Sequence, residues 1–440
     1  MQWGVTEFCG PTRRRTPLPL RERLGEGAKQ CHGTPAFVLP LEGGGVNLRI
    51  PTFRGHAHVV RQHQQNPEAE SRKDMAAVTW YYRATPKGGI QMPRKATARR
   101  TKSAPRKKVI RCGVIGYGAA FSMGRNHARW MADTPGLQPV AVCDVDASRL
   151  TDADKDFPGV ETYTSVATML RKSDLDLVAV VTPHNTHAPL AVQCLKAGKH
   201  VVVEKPMCIS VAEADRMIQA ARDSKVMLSV FHNRRWDGDF KTLRDIIGRG
   251  IIGDVFHIET FGGGYGPPGK WWRADKRISG GAFYDWGAHF VDWVLNLVPS
   301  KMASVMGYFV RNLVWKDATN EDQVEGIVRF ANGAVANLQL SSIAACGKQR
   351  WRILGTKGGI CDGRREGHFL VVTDVQGLRA EMEVKYQPTN WEAYYRNIAD
   401  HLLHGAELAV KPEEGRRVIT VIETAEKASR AGKPLKPKYA

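Results

Sequence analysis

VIRCGVIGYG, residues 109–118, decides how this chain begins to fold. Apolar residues run up to a cluster of glycines, the pattern of a buried strand breaking into a tight turn. A helical pattern follows through about Met131, and PVAVCDVD (139–146) is the next apolar run, so the segment builds a βαβ unit. Gly113, Gly116, Tyr117 and Gly118 form a turn whose backbone can approach a pyrophosphate at the helix N-terminus. Asp144 ends the second strand, where a carboxylate can accept both hydroxyls of an adenosine ribose. The third glycine of the usual dinucleotide fingerprint is replaced by Phe121, so either helix and strand separate a little or the turn is longer. The wide gap from Gly116 to Asp144 fits that departure. The charge of Asp144, reinforced by Asp146, repels a 2′-phosphate and favours NAD over NADP, while Arg149 argues weakly the other way.

The alternation continues outward from this unit. LDLVAVVTPH (175–184), a helix from about His187 to Ala197, and KHVVVEKP (199–206) extend it, and both strands are solidly apolar, as central parallel strands are. Their C-terminal ends carry Thr182, Pro183 and His184, and Glu204, Lys205 and Pro206, at the edge where doubly wound sheets bind ligands. Ser210 and Glu213 form a capping box for the next helix. A lysine directly after a buried strand and before a proline is poorly explained as surface decoration.

In the second half the texture changes. DVFHIETFG (254–262), ASVMGYFV (303–310), QVEGIVRF (323–330) and AVANLQLSS (334–342) alternate as half-buried strands do, and Asn332 with Gly333 makes a hairpin turn. Strands now follow strands, so this sheet is antiparallel. Helical patterns return at 390–404 and 412–430. The expected fold is α/β: a Rossmann domain over 109–231, then an α+β domain over 232–440.

Length and composition bound the function. A chain of 440 residues with 42% hydrophobic residues can bury ordinary cores. No apolar run approaches the roughly 18 residues that span a bilayer, and no apolar core follows the cluster of Arg13, Arg14 and Arg15 to make a secretory signal. The expected compartment is the cytoplasm, with no membrane partner. Eight cysteines lie scattered without CxxC pairing, and Cys112, Cys143 and Cys194 sit in apolar patterns, so neither disulfides nor a zinc site are expected. The net charge of +20 is uneven: residues 1–108 carry 21 Lys and Arg against 7 Asp and Glu, a net of +14, leaving 43 against 37 beyond. That leader is rich in Gly, Pro, Arg and Gln without a burial period and is expected to be disordered. Its last part, MPRKATARRTKSAPRKK (92–108), is read as a solvated arm rather than a nucleic-acid contact, and Met92 offers a second start to translation.

From about residue 109 to 440 the chain resembles the Gfo/Idh/MocA family of nicotinamide-dependent oxidoreductases. The resemblance rests on GVIGYG (113–118), on TPHNTHAPLAVQCLKAGKHVVVEKP (182–206), on GRGIIGDV (248–255) and on SGGAFYDWGAHFVDW (279–293), which are specific together and weak singly. It implies a second domain built on a large, mainly antiparallel open sheet, commonly the surface of a homodimer or homotetramer. It also implies substrates such as sugars, polyols and their derivatives, with inositols among them.

In FYDWGAHFVDW (283–293), helical spacing stacks Asp285 and His289 on one face, so the carboxylate could orient the imidazole as a general base. Alone, the segment reads more readily as a buried helix with an N-terminal acid and a core histidine, and Asp292 is read as structural. The family resemblance implies that Lys205, Asp285 and His289 meet over the nicotinamide. His289 would then take the hydroxyl proton, Asp285 would orient it, and Lys205 would polarise the reacting oxygen. His184 and His187 have metal-pair spacing, but no carboxylate or cysteine joins them and the family uses no metal; they are expected to line the nicotinamide side of the pocket. The Gly/Pro-rich loop GYGPPGKWWRADKRISGG (264–281) carries Trp271, Trp272 and Arg273, of which Trp272 and Arg273 suit a pyranose or a substrate carboxylate, and the tryptophans equally suit a purely anchoring role in the loop. The favoured reading is an NAD-dependent sugar or polyol dehydrogenase. A redox-neutral NAD-dependent glycosidase and a non-enzymatic sugar-sensing regulator remain the alternatives.

Overall fold

The computed structural model describes residues 109–118 and 120–440. The expected leader over 1–108, with Met92 in it, lies outside the described residues.

Strands and helices alternate through the first half. They are β1 (Ile110–Ile115), α1 (Met123–Ala132), β2 (Leu137–Cys143), α2 (Ala147–Asp156), β3 (Glu161–Tyr163), α3 (Val166–Lys172), β4 (Leu177–Val180), α4 (His184–Lys196), β5 (His200–Val203), α5 (Val211–Asp223) and β6 (Leu228–Val230). The strand order is β3-β2-β1-β4-β5-β6 and every pairing is parallel. The apolar runs explain this: β4 is buried throughout and β5 nearly so, because helices cover both faces. Chain order reverses between β1 and β4, which opens a crevice beyond their C-terminal ends. Side-chain caps fix the helix entries: Asp146 accepts from Ser148 N, Ser165 from Thr168 N, and Ser210 from Glu213 N. Glu213 in return accepts from Ile209 N, completing the expected capping.

The second half contains α6 (Gly238–Gly248), β7 (Val255–Gly263), α7 (Lys276–Ser279), α8 (Ala282–Leu297), β8 (Met302–Val310), β9 (Gln323–Phe330) and β10 (Val335–Ser341). After these come β11 (Trp351–Gly355), β12 (Gly358–Asp362), β13 (His368–Val375), β14 (Leu378–Lys385), α9 (Glu392–His404) and α10 (Pro412–Ala431). Their sheet runs β14-β13-β12-β11-β7-β10-β9-β8 and is antiparallel except where β7 meets β10. One face is buried, as the alternating exposure along β9, β10 and β13 records. Helix α8 lies on that face, and its Trp293 ring sits 5.1 Å from that of Trp351 on β11. Helix α10 packs against β8, α8 and α5, so it ties the second sheet to the first.

The starts of two helices have local reasons, and only that of α4 differs from the sequence reading. Helix α1 starts only at Met123, because Phe121 and Ser122 take positive φ (55° and 52°) and lengthen the turn after the glycines. Helix α4 starts at His184, directly after Pro183.

Candidate active site

The glycine turn divides its labour differently from the sequence reading. Gly113 lies within β1, where the space beside its Cα is filled by Leu175 and Met169, so its smallness serves strand packing rather than the turn. Gly116 is the turn residue: φ is +95°, and a Cβ there would collide with the Val181 carbonyl. A Cβ on Gly118 would enter open space, leaving a cradle beyond the strand ends. The third glycine is Gly124, which the sequence reading missed. It sits in α1, and a Cβ on it would collide with the Gly116 carbonyl. The longer turn therefore moves close helix packing three residues along, which answers the replacement at Phe121. Tyr117 contributes its backbone only: its ring is buried and its hydroxyl donates to Asp156 (2.8 Å).

Asp144 stands just beyond β2 and accepts from the N–H groups of Tyr117 (2.6 Å) and Asp146 (2.9 Å), which pins the carboxylate against the turn. Arg149 faces Asp146 (3.6 Å) and Asp152 (3.7 Å), so its charge is engaged locally. The open cradle at Gly118, the start of α1 and the carboxylate at the end of β2 fit an adenine dinucleotide.

At the ends of β4 and β5 the histidines act as braces. His187 is fully buried, with Nδ1 2.8 Å from the Pro206 carbonyl and Nε2 2.8 Å from the Thr182 carbonyl, so it holds the two strand-end turns together and does not line the pocket. His184 is also buried and bonds the Ser279 carbonyl through Nδ1 (2.8 Å), while its ring meets that of Trp272 edge-on at 4.7 Å. Thr182 accepts from the Thr186 hydroxyl (2.7 Å), and Pro183 caps α4. Glu204 points inward too. It takes His127 Nε2 at 3.0 Å and the Lys205 N–H at 2.8 Å, and His127 continues to the Tyr395 hydroxyl at 2.5 Å. Burial pushes the Glu204 carboxyl up, but the hydrogen bond to His127 and the nearby charge of Lys205 hold it below its ordinary value.

These braces deliver Lys205 to the crevice, where its Nζ meets Asp285 Oδ1 at 2.7 Å. Arg273 Nε lies 3.8 Å from Asp285 Oδ2. Here the expectation of an aspartate orienting a histidine is corrected: among the described residues no hydrogen bond joins Asp285 to His289. The carboxylate sits in the first turn of α8, and two cations arriving from β5 and the 271–274 segment outcompete a neutral imidazole. Burial drives the Asp285 carboxyl up, yet Lys205 and Arg273 hold it far below the usual carboxylate range.

His289 is 3% exposed and lies among the rings of Trp286 (5.6 Å), Trp293 (6.1 Å) and His232 (6.5 Å). Burial, then the charges of Lys205 and Arg234, push its imidazole well below the ordinary histidine value, so it is neutral. Arg234, from the Asn233–Trp236 turn, stacks over Trp286 at 4.5 Å and was absent from the sequence reading. The paired arginines just after an apolar strand were the available signal. Trp272 and Arg273 lie beside Asp285 and His184, with the guanidinium 4.3 Å from the Trp272 ring and 4.9 Å from the Phe121 ring. Trp271 is 69% exposed. Asp292 faces away and forms a buried two-bond pair with Arg235 (2.9 and 2.6 Å).

This arrangement can bind a dinucleotide along the strand ends and place an ammonium, a carboxylate and a neutral imidazole beside its reactive end. Known proteins share this architecture. Residues 110–232 match the oxidoreductase family described as having an NAD-binding Rossmann fold, and residues 240–361 match the GFO/IDH/MocA C-terminal domain. The oxidoreductase YdgJ of Escherichia coli is 30% identical over 71% of this chain and 94% of its own length. The Bacillus subtilis scyllo-inositol 2-dehydrogenase (NADP(+)) IolW is 29% identical over 74% of this chain and 96% of its own. The solved structure of the Bacillus subtilis oxidoreductase yvaA superposes with a TM-score of 0.68 at 26% identity, covering 76% of this chain and 99% of that one. The glycine turn, the parallel sheet that carries it and the extended similarity to these proteins make this chain a member of the Gfo/Idh/MocA family of NAD(P)-dependent oxidoreductases.

Proposed function

We propose that the protein oxidises, or in reverse forms, a CH–OH group of a sugar, polyol or sugar derivative, with NAD preferred to NADP. The observation that carries this reading is the Lys205–Asp285 contact at 2.7 Å, which ties an ammonium to the residue one helical turn before His289. Two relatives named as inositol dehydrogenases support the substrate class. Pinning of Asp144 beside the glycine turn supports NAD, since a fixed carboxylate repels a 2′-phosphate.

Bound NAD supplies the hydride acceptor. The chain's own residues handle the proton. Lys205 donates a hydrogen bond to the substrate oxygen and stabilises the charge that develops there, and Asp285 holds the ammonium in place. His289 is a neutral imidazole, and its unprotonated ring nitrogen can accept the proton of the hydroxyl. The burial and the positive charges that keep it neutral also disfavour its imidazolium, so the proton must pass onward before the next turnover. Helix α8 keeps these groups in register because Asp285 and His289 share one rigid element.

The same reading assigns 109–231 to cofactor binding, assigns 232–440 to the substrate and to self-association through the open sheet, and places the protein in the cytoplasm. Among the described residues no helix is long and apolar enough to cross a membrane.

The test is NADH formation across a panel of neutral sugars, sugar acids and inositols, after any nucleotide carried through purification is identified by mass spectrometry. NADH released in proportion to product supports a dehydrogenase. A glycoside cleaved without net NADH would replace it with the redox-neutral reading, and ligand binding without turnover would favour the sensor.

A further inference from the structure

His232 is a buried polar group for which the mechanism above has no use. It lies between β6 and the Asn233–Trp236 turn and is 1% exposed. Both of its ring nitrogens are buried without a hydrogen-bond partner among the described residues, although a neutral imidazole carries one donor and one acceptor. Buried groups of this kind are ordinarily satisfied by a partner or by an internal water, because leaving them bare is costly. Two polar neighbours stand close. The His289 ring lies 6.5 Å away between centroids, and Asp292 Oδ2 lies 4.0 Å from His232 Nδ1. Neither is a direct hydrogen bond, and each is a gap that one intervening water can bridge.

Charge distinguishes the two histidines. The groups that act on His289 are Lys205, Arg234 and His232, and all of them disfavour an imidazolium. His232 faces two carboxylates, Asp292 and Glu414, against the cations Arg235 and Lys205. Arg235 is engaged by both carboxylates, at 2.6 Å to Asp292 and 3.2 Å to Glu414, and Glu414 also interacts with Lys411 and Arg417. Burial still lowers the His232 imidazole below its ordinary value, so the ring is neutral at rest and able to take up a proton. A proton on His232 meets a carboxylate at 4.0 Å, whereas the charges around a proton on His289 are all positive.

We propose that His232 is a proton relay behind His289: His289 takes the hydroxyl proton at one ring nitrogen and releases the proton of its other nitrogen, through a bridging water, to His232. This rests on the dehydrogenase reading above and deepens it. When the O–H bond breaks, its electron pair forms the new C=O bond as hydride leaves carbon for NAD. One proton arrives on His289 and one departs, so that ring is neutral again with its tautomer reversed. His232 keeps the extra proton beside Asp292 until product has left, then returns it by the same path to solvent water, which restores both rings. His232 acts through His289 and contacts neither substrate nor cofactor.

The experiment uses the sugar, sugar acid or inositol that the wild type oxidises fastest in the panel above. Hydride transfer is followed in single turnover for wild type, His232→Gln and His232→Phe, in water and in heavy water and at rising imidazole buffer concentration. NADH affinity and melting temperature are measured on the same preparations. Gln keeps hydrogen bonding and Phe fills the space, but neither carries a proton. Both should therefore slow hydride transfer per folded molecule by about 10- to 100-fold, towards the lower end of the range for a positioned proton-transfer group, with NADH affinity unchanged. Both should also show a larger solvent isotope effect than wild type and a partial recovery in imidazole that wild type lacks. A wild-type rate in either variant would overturn the relay, leaving a hydrogen-bonding role if Gln suffices and a packing role if Phe does. A loss that imidazole leaves unchanged would overturn it too and make His232 a structural neighbour of His289. Both outcomes leave the dehydrogenase reading standing. If the wild type oxidises nothing in the panel, that reading falls and this one with it.

Discussion

Asp285 reaches Lys205 at 2.7 Å across 80 positions of sequence, not His289 one turn further along its own helix. The contact makes the aspartate a partner of the ammonium. It separates two tasks that a shared helical face had suggested were one, holding the reacting oxygen and removing its proton.

If Asp285 acts through Lys205, the two should couple. Lys205→Met and Asp285→Asn should each lower kcat by about 10²- to 10⁴-fold, the scale of losing an oxyanion donor or its support. The double variant should be little worse than Lys205→Met alone. Additive losses in single-turnover measurements would show that Asp285 works elsewhere.

His289→Ala should lower kcat by about 10²- to 10⁴-fold while leaving NADH affinity near wild type. Turnover and melting temperature measured on the same preparation decide this. A variant that melts early but turns over normally per folded molecule would return His289 to the core.

Cofactor preference tests the strand end. Asp144→Ser should weaken NAD binding and narrow or invert the preference over NADP, and should also loosen the turn because Asp144 holds the Tyr117 N–H. Titration of both nucleotides checks it. A wild type that already prefers NADP would contradict the assignment.

The two glycines of the longer turn should respond in opposite ways. Gly118→Ala meets no atoms and should keep its melting temperature while losing NAD affinity, since the new methyl fills the cradle. Gly124→Ala drives a Cβ into the Gly116 carbonyl and should cost about 1–3 kcal/mol of stability, the usual scale of overpacking. Thermal melts with and without NAD separate the two effects.

Stability should fall on the acid side. His184, His187, His232 and His289 are buried, and burial lowers the pKa of each. Unfolded chains take up these protons near pH 6.5 while the folded protein does not, so the stabilisation is present above that pH and is lost as pH falls below it. Each histidine can contribute up to about 1.4 kcal/mol per pH unit in that window. Melting temperatures between pH 8 and 5 should drop below pH 6.5. A flat profile would mean that these rings protonate freely in the folded state.

Much of the fold was legible because its signals are local. The apolar runs of β4 and β5, the alternation along β9 and β10, and the capping residues Ser210 and Glu213 each express a preference of the segment that carries it. Strands β11 to β14 escaped notice. β11 and β12 are five residues each, and β14 is exposed along most of its length, so no apolar period marks it. Gly124 was missed because its role depends on the Gly116 carbonyl, which approaches it only once α1 has packed on the turn.

By itself, then, the sequence determined the parallel unit, the change to antiparallel strands, the glycine turn with Asp144, and the candidate set of Lys205, Asp285 and His289, because periodicity and motif spacing are properties of the chain. Only the tertiary structure decided which of these touch. It gave the Asp285 carboxylate to Lys205 and Arg273, and turned His187 and Glu204 inward as braces. Charge pairing is settled by distance in space, and an ammonium held at 2.7 Å outcompetes an imidazole that is neutral because the fold has buried it.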